Sequence, residues 1–182
     1  QYMGETSGDA LFGTSASGAP SVAVGRFPIA NDGELDEMVA RSLSFVPAQS
    51  GLNAYLVVDA NDPLAYNFPL EGDDLVAKNA SVTWEKAYLD NFPNKAALAA
   101  AMQNKVNAGT ANMLVFIGHG SSRVLGKDTI VDQPGVSGWT GNGVLMQATC
   151  NAHYIIHNEA ANVSLTTALL TQPQGGAALS IA

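Results

Sequence analysis

The sequence predicts a three-layer α/β/α fold built on a mostly parallel sheet. Three observations point there. The candidate strands are short, continuous apolar runs such as Met113-Leu114-Val115-Phe116-Ile117, without the alternation of a half-exposed strand, so they belong to a sheet covered on both faces. They take turns with segments of helical period, which calls for parallel pairing and right-handed crossovers. At 182 residues and 47% hydrophobic, the chain holds enough apolar surface for one domain with its own core.

Residues 1–20 are rich in Gly, Ser, Thr and Ala without a period and read as loop. Ser21 to Phe27 is a short apolar run stopped by Pro28, a first strand. Glu34 to Val46 places Leu35, Met38, Val39, Leu43 and Val46 at helical spacing, with Asn31-Asp32 to cap it. Asn53 to Asp59 is a strand ending in an acid, and Asn61-Asp62-Pro63 turns the chain. A short helix is expected over Leu70–Lys78 and a strand over Val82–Tyr88. Asn94 opens a helix with Leu98, Ala101, Met102 and Val106 on one face, closed by Gly109. Met113–Ile117 and Val144–Ala148 are buried strands on either side of a Gly-rich loop. Ser164–Thr171 is helical, Gly175-Gly176 turns, and Ala177–Ile181 is the last strand. No internal repeat or long linker interrupts this order.

The formal net charge is −8 and the pI is near 4.6. Such a chain has no electrostatic reason to bind nucleic acid or an anionic membrane. No apolar run approaches the ~18 residues of a membrane helix, so no membrane insertion is expected. The single cysteine, Cys150, excludes an internal disulfide and any zinc site built on several thiolates. The chain opens at Gln1 and stops inside a strand, which reads as an excerpt of a longer protein.

Function in an open parallel sheet collects beyond the carboxyl ends of the strands. His119 follows the strand Met113–Ile117 within Gly118-His119-Gly120-Ser121, and Cys150 follows Val144–Ala148. Parallel neighbours would bring both side chains to one edge of the sheet. A thiol becomes a strong nucleophile when an imidazole takes its proton, and the same imidazole later protonates the leaving amine. Gly118 and Gly120 allow a sharp turn and close approach to a substrate. The backbone N–H groups of Gly120 and Cys150 are the candidate oxyanion donors.

Gly118-His119-Gly120-Ser121 followed by Ala148-Thr149-Cys150-Asn151 resembles the gingipain-type cysteine peptidases, peptidase family C25, within the caspase-like group. Ser7-Gly8-Asp9, Val24-Gly25-Arg26-Phe27-Pro28 with Glu34-Leu35, and Thr167–Ala182 with Gly175-Gly176 extend the similarity along nearly the whole chain. The resemblance implies a secreted or cell-surface cysteine endopeptidase acting on polypeptides through a Cys–His pair, with an acid orienting the histidine. Asp59 lies where that acid would fall, although gingipains carry a Glu. It also implies that residues 1–182 are one partial catalytic domain, lacking a larger amino-terminal part and a following immunoglobulin-like domain. No cofactor is required. Structural calcium is compatible with the resemblance, but no ligands are assigned. The oligomeric state and the P1 preference are left open. Two alternatives stand beside hydrolysis: transpeptidation in the manner of a sortase, and a non-catalytic binding module that keeps the fold.

Plainer readings compete at each position. A lone cysteine is usually a small core residue, and an acid at a strand end often caps the next element or faces water. Trp139, His153 and Glu71 are candidate pocket residues. Trp139 equally suits an anchor for its loop. Glu71, with Asp73 and Asp74, would suit a basic P1 side chain or a solvated helix start. His153 and His157 are spaced i, i+4, but no Glu follows His153 as zinc peptidases require, so no metal site is assigned. A Gly-x-Ser-x-Gly elbow and a phosphate loop are both lacking.

Overall fold

A computed structural model describes residues 27–45, 52–150 and 163–181. Helix α1 spans Asp32–Ser44, β1 Asn53–Val58, α2 Phe68–Lys78, β2 Thr83–Tyr88, α3 Lys95–Ala108 and β3 Met113–Ile117. The short strands β4 (Val124–Leu125) and β5 (Val131–Asp132) follow. Then come β6 (Val144–Ala148), α4 (Leu165–Thr171) and β7 (Leu179–Ile181). Five strands form one parallel sheet in the order β2-β1-β3-β6-β7. The chain moves from β1 outward to β2, then returns to lay β3 on the other side of β1. This reversal makes a topological switch point between β1 and β3, where loops diverge and leave a crevice.

The doubly covered sheet follows from its side chains. Tyr55 and Val57 of β1 join Leu114 and Phe116 of β3 in a core with Met38, Leu98, Met102, Leu165 and Leu169. Leu56, Val58, Val115 and Ile117 face the other way, onto Phe68, Leu75 and Val76 of α2. One face thus carries α1, α3 and α4, and the other carries α2. This is the expected α/β/α sandwich, built on strands apolar on both sides.

Helix signals act where the sequence places them. The side chains of Asn31, Asn67, Asn94 and Ser164 accept hydrogen bonds from the first turns of α1, α2, α3 and α4. Gly109 closes α3 in the left-handed conformation (φ 61°).

Three details differ from expectation. Helix α2 starts at Phe68, because Asn67 caps it and Pro69 tolerates the first turn. On α1, Leu43 is 81% exposed while Arg41 is buried. The Arg41 guanidinium donates to the carbonyls of Leu169, Leu170, Gln172 and Ala177, and these bonds repay its burial. The β4–β5 hairpin occupies what the sequence reads as a Gly-rich loop, since two-residue strands carry no readable period. The expected strand over 21–27 and loop over 1–20 lie outside the described residues, apart from Phe27, which is exposed.

Candidate active site

Register positions the site. Val58 of β1 pairs with Ile117 of β3, and Ile117 pairs with Ala148 of β6. The ladder continues past the strand ends: Asp59 N–H donates to Ile117 O at 2.9 Å, and Gly118 N–H donates to Ala148 O at 3.2 Å. His119 and Cys150 each follow these paired residues by two positions. They therefore follow the paired ends of neighbouring parallel strands at the same offset in sequence. Cys150 is exposed at the sheet edge.

The two glycines beside His119 matter for space. Neither has positive φ, so the sharp turn expected of them is not their reason. A Cβ on Gly118 would fall 2.4 Å from Asp59 Cβ, and one on Gly120 would fall 2.3 Å from Thr149 Oγ1. Only glycine lets the histidine segment lie this close to the ends of β1 and β6. Gly120 forms an antiparallel bridge with Leu125. That bridge is closed by flanking bonds, Gly126 N–H to His119 O at 2.8 Å and Ser121 N–H to Val124 O at 2.9 Å. The N–H of Gly120 itself is not used by them. Further on, Leu165 N–H donates to Ser122 O at 2.7 Å and ties the start of α4 to the same loop.

The imidazole meets an acid that sequence reasoning missed. His119 Nε2 lies 3.0 Å from Asp62 Oδ2. The same oxygen accepts from Lys127 Nζ at 2.6 Å, and Oδ1 accepts from Leu64 N–H at 3.1 Å. The Lys127 ammonium above all, then the Leu64 N–H, hold the Asp62 carboxyl down at about 2 against partial burial. An ionised carboxylate only accepts, so the ring must donate from Nε2–H. Nδ1 is then the basic nitrogen. Phe68 sets its ring edge-on to the imidazole at 4.9 Å between centroids and fixes its tilt.

Asp59 was expected to orient the imidazole and does not touch it. It is 4% exposed. Its Oδ2 accepts from the backbone N–H of His119 (3.2 Å) and of Lys127 (3.1 Å), and its Oδ1 accepts from Ala60 N–H (2.9 Å). Directly at the strand end, its short side chain reaches the backbone of the neighbouring loops. The ring is met from three residues further on, where the turn folds back through mutual bonds between Asp62 and Tyr66. Asp62 was readable only as a turn residue before proline. The available signal was a second acid three residues past the strand-end acid.

The pocket candidates separate. Trp139 is 3% exposed and packs in the α3 side of the core, so it does not line a pocket at His119. The helical turn over Pro134–Gly138 delivers it inward, where it borders a groove of about 370 Å³ between α3 and β5. Glu71 accepts from Tyr66 Oη at 2.9 Å. The Tyr66 ring lies 5.7 Å from Phe68, and Phe68 in turn meets the imidazole, so Glu71 is linked to His119 only through two intervening aromatic rings. Asp73 and Asp74 are engaged instead by Lys86, Tyr88 and Lys78. His153 and His157 lie outside the described residues. Among the described residues no group of three or more His, Cys, Asp and Glu is placed to hold a metal ion, and no helix is long and apolar enough to cross a membrane.

Comparison with known proteins gives the family of the chain. The model of peptidase family C25 matches residues 1–182, and the chain belongs to that family of cysteine peptidases. No curated protein and no solved structure matches the chain.

Proposed function

We propose that this chain hydrolyses peptide bonds with Cys150 as nucleophile and His119 as general base. His119 Nδ1 takes the thiol proton, and the thiolate sulfur attacks the scissile carbonyl carbon. The backbone N–H groups of Gly120 and Cys150 receive the developing oxyanion. As the C–N bond breaks, the imidazolium returns its proton to the leaving amine, leaving a thioester on Cys150. Water, deprotonated by the same imidazole, attacks the thioester and releases the acid. Asp62 acts through His119: it holds Nε2–H, selects the tautomer with Nδ1 free, and stabilises the imidazolium.

The observation that carries this reading is the matching placement of His119 and Cys150 past the paired ends of β3 and β6. Its test is covalent labelling with a peptidyl acyloxymethyl ketone followed by peptide mapping. An adduct on Cys150, lost in Cys150→Ala and strongly slowed in His119→Ala, is expected. A folded chain without that adduct would defeat the proposal. Transfer of the acyl group to added amines, in preference to water, would replace hydrolysis by transpeptidation.

A further inference from the structure

His119 and Lys127 converge on one oxygen atom. The imidazole Nε2 is 3.0 Å and the ammonium Nζ 2.6 Å from Asp62 Oδ2. The lysine is built into this place. Its backbone N–H donates to Asp59 Oδ2 at 3.1 Å, beside the His119 N–H on the same oxygen. Gly126, immediately before it, donates to His119 O. Catalysis as derived from Asp62, His119 and Cys150 makes no use of Lys127.

We infer that Lys127 is a positioning residue: its ammonium divides Asp62 with the imidazole and thereby sets the pH range in which the His119–Cys150 pair works. The inference rests on the reading of His119 as base. A carboxylate alone beside an imidazole favours the protonated ring and draws it toward a permanent imidazolium. A cation on the same carboxylate oxygen opposes that pull. Both nitrogens lie within 3.0 Å of one atom, so they are less than about 6 Å apart, where unit charges still interact appreciably in partial solvent. The other charged or titratable groups to consider are Asp59, bonded to the histidine backbone, Cys150, two residues past the end of the next strand, and Glu71, behind Tyr66 and Phe68. Asp128 acts on Lys127 itself. Among the described residues Lys127 is the cation bonded to Asp62. Its side chain is 60% exposed, so as a surface ion pair it adds little to stability. Its influence falls on proton affinity.

Removing a cation raises the proton affinity of every nearby group. In Lys127→Met, both limbs of the pH profile of Cys150 labelling should therefore move to higher pH, by about half a unit to one unit. Lys127→Arg should restore the wild-type profile. A merely structural lysine would lower the amplitude without moving the limbs. The pH profile of His119 carbethoxylation, mapped by mass spectrometry in the Cys150→Ala background, should move the same way and needs no peptidase activity. Limbs that stay in place, or move to lower pH, in folded Lys127→Met would overturn the inference. Should that variant fail to fold by circular dichroism, Lys127→Gln carries the same expectation. Absence of Cys150 labelling in all variants would sink the peptidase reading, while the carbethoxylation profile would still decide the role of Lys127.

Discussion

Asp59 and Asp62 sit three residues apart at the end of β1, and both are nearly buried, at 4% and 9% exposure. Asp59 meets only backbone N–H groups, those of Ala60, His119 and Lys127. Asp62 meets one backbone N–H and two ionisable side chains, an imidazole and an ammonium. The difference lies in their donors. Amide donors do not titrate, so Asp59 fixes where the histidine loop runs. Ionisable donors exchange protons, so Asp62 is the acid that, in the proposed mechanism, acts on the ring. Two like residues in one turn thus divide shape from proton chemistry.

The sharpest way to break this contrast is Asp62→Asn. The amide keeps the size but loses the charge that selects the tautomer and stabilises the imidazolium. Turnover should fall about 100- to 10,000-fold, with only a modest loss of stability near neutral pH, where the ionised carboxylate is lost. Steady-state kinetics beside thermal unfolding would check it, and an equal loss in both variants of the pair would erase the distinction. Asp59→Ala should show the reverse emphasis. Three buried or half-buried N–H groups lose their acceptor, at about 2–3 kcal/mol of stability in urea unfolding, and turnover per folded molecule falls less than in Asp62→Asn. Gly118→Ala tests the close approach that lets Asp59 reach the histidine segment. Its Cβ would meet Asp59 Cβ at 2.4 Å and the Phe116 ring at 2.8 Å, so about 1–3 kcal/mol should be lost through overpacking.

The smallest effect is on acid stability. The Asp62 carboxyl titrates at about 2 in the folded protein against 3.8 unperturbed. A depressed folded value contributes stability that is fully present above about 4 and is lost as pH falls toward about 2. Stability curves for wild type and Asp62→Asn should therefore converge across that window. Curves that stay parallel would show that Asp62 is not held ionised by its neighbours.

The fold was legible because its strands are buried on both faces. Leu56, Val57 and Val58 point alternately to opposite helical layers, so the apolar run itself reports the architecture. His119 and Cys150 were legible as strand-end residues beside glycines and as parts of the family pattern. Asp62 was not, because an acid between Asn61 and Pro63 has an ordinary turn explanation. Its contact with the ring depends on the chain folding back through Tyr66, which no local period announces. Trp139 was open to two readings, pocket lining and loop anchor, for a related reason. In a Gly-rich loop an aromatic resembles a surface feature, yet the turn over Pro134–Gly138 carries it into the core. Arg41 broke the apolar stripe of α1 because its partners are carbonyls far along the chain, around Leu169–Ala177.

The most direct measurement is a crystal structure of the chain bearing a peptidyl ketone adduct. The account predicts a thioether on Cys150 Sγ, the adduct oxygen within hydrogen-bond reach of the Gly120 and Cys150 N–H groups, and the His119 ring still held by Asp62 through Nε2. An adduct on another side chain, or a His119 ring held by Asp59 in place of Asp62, would contradict it.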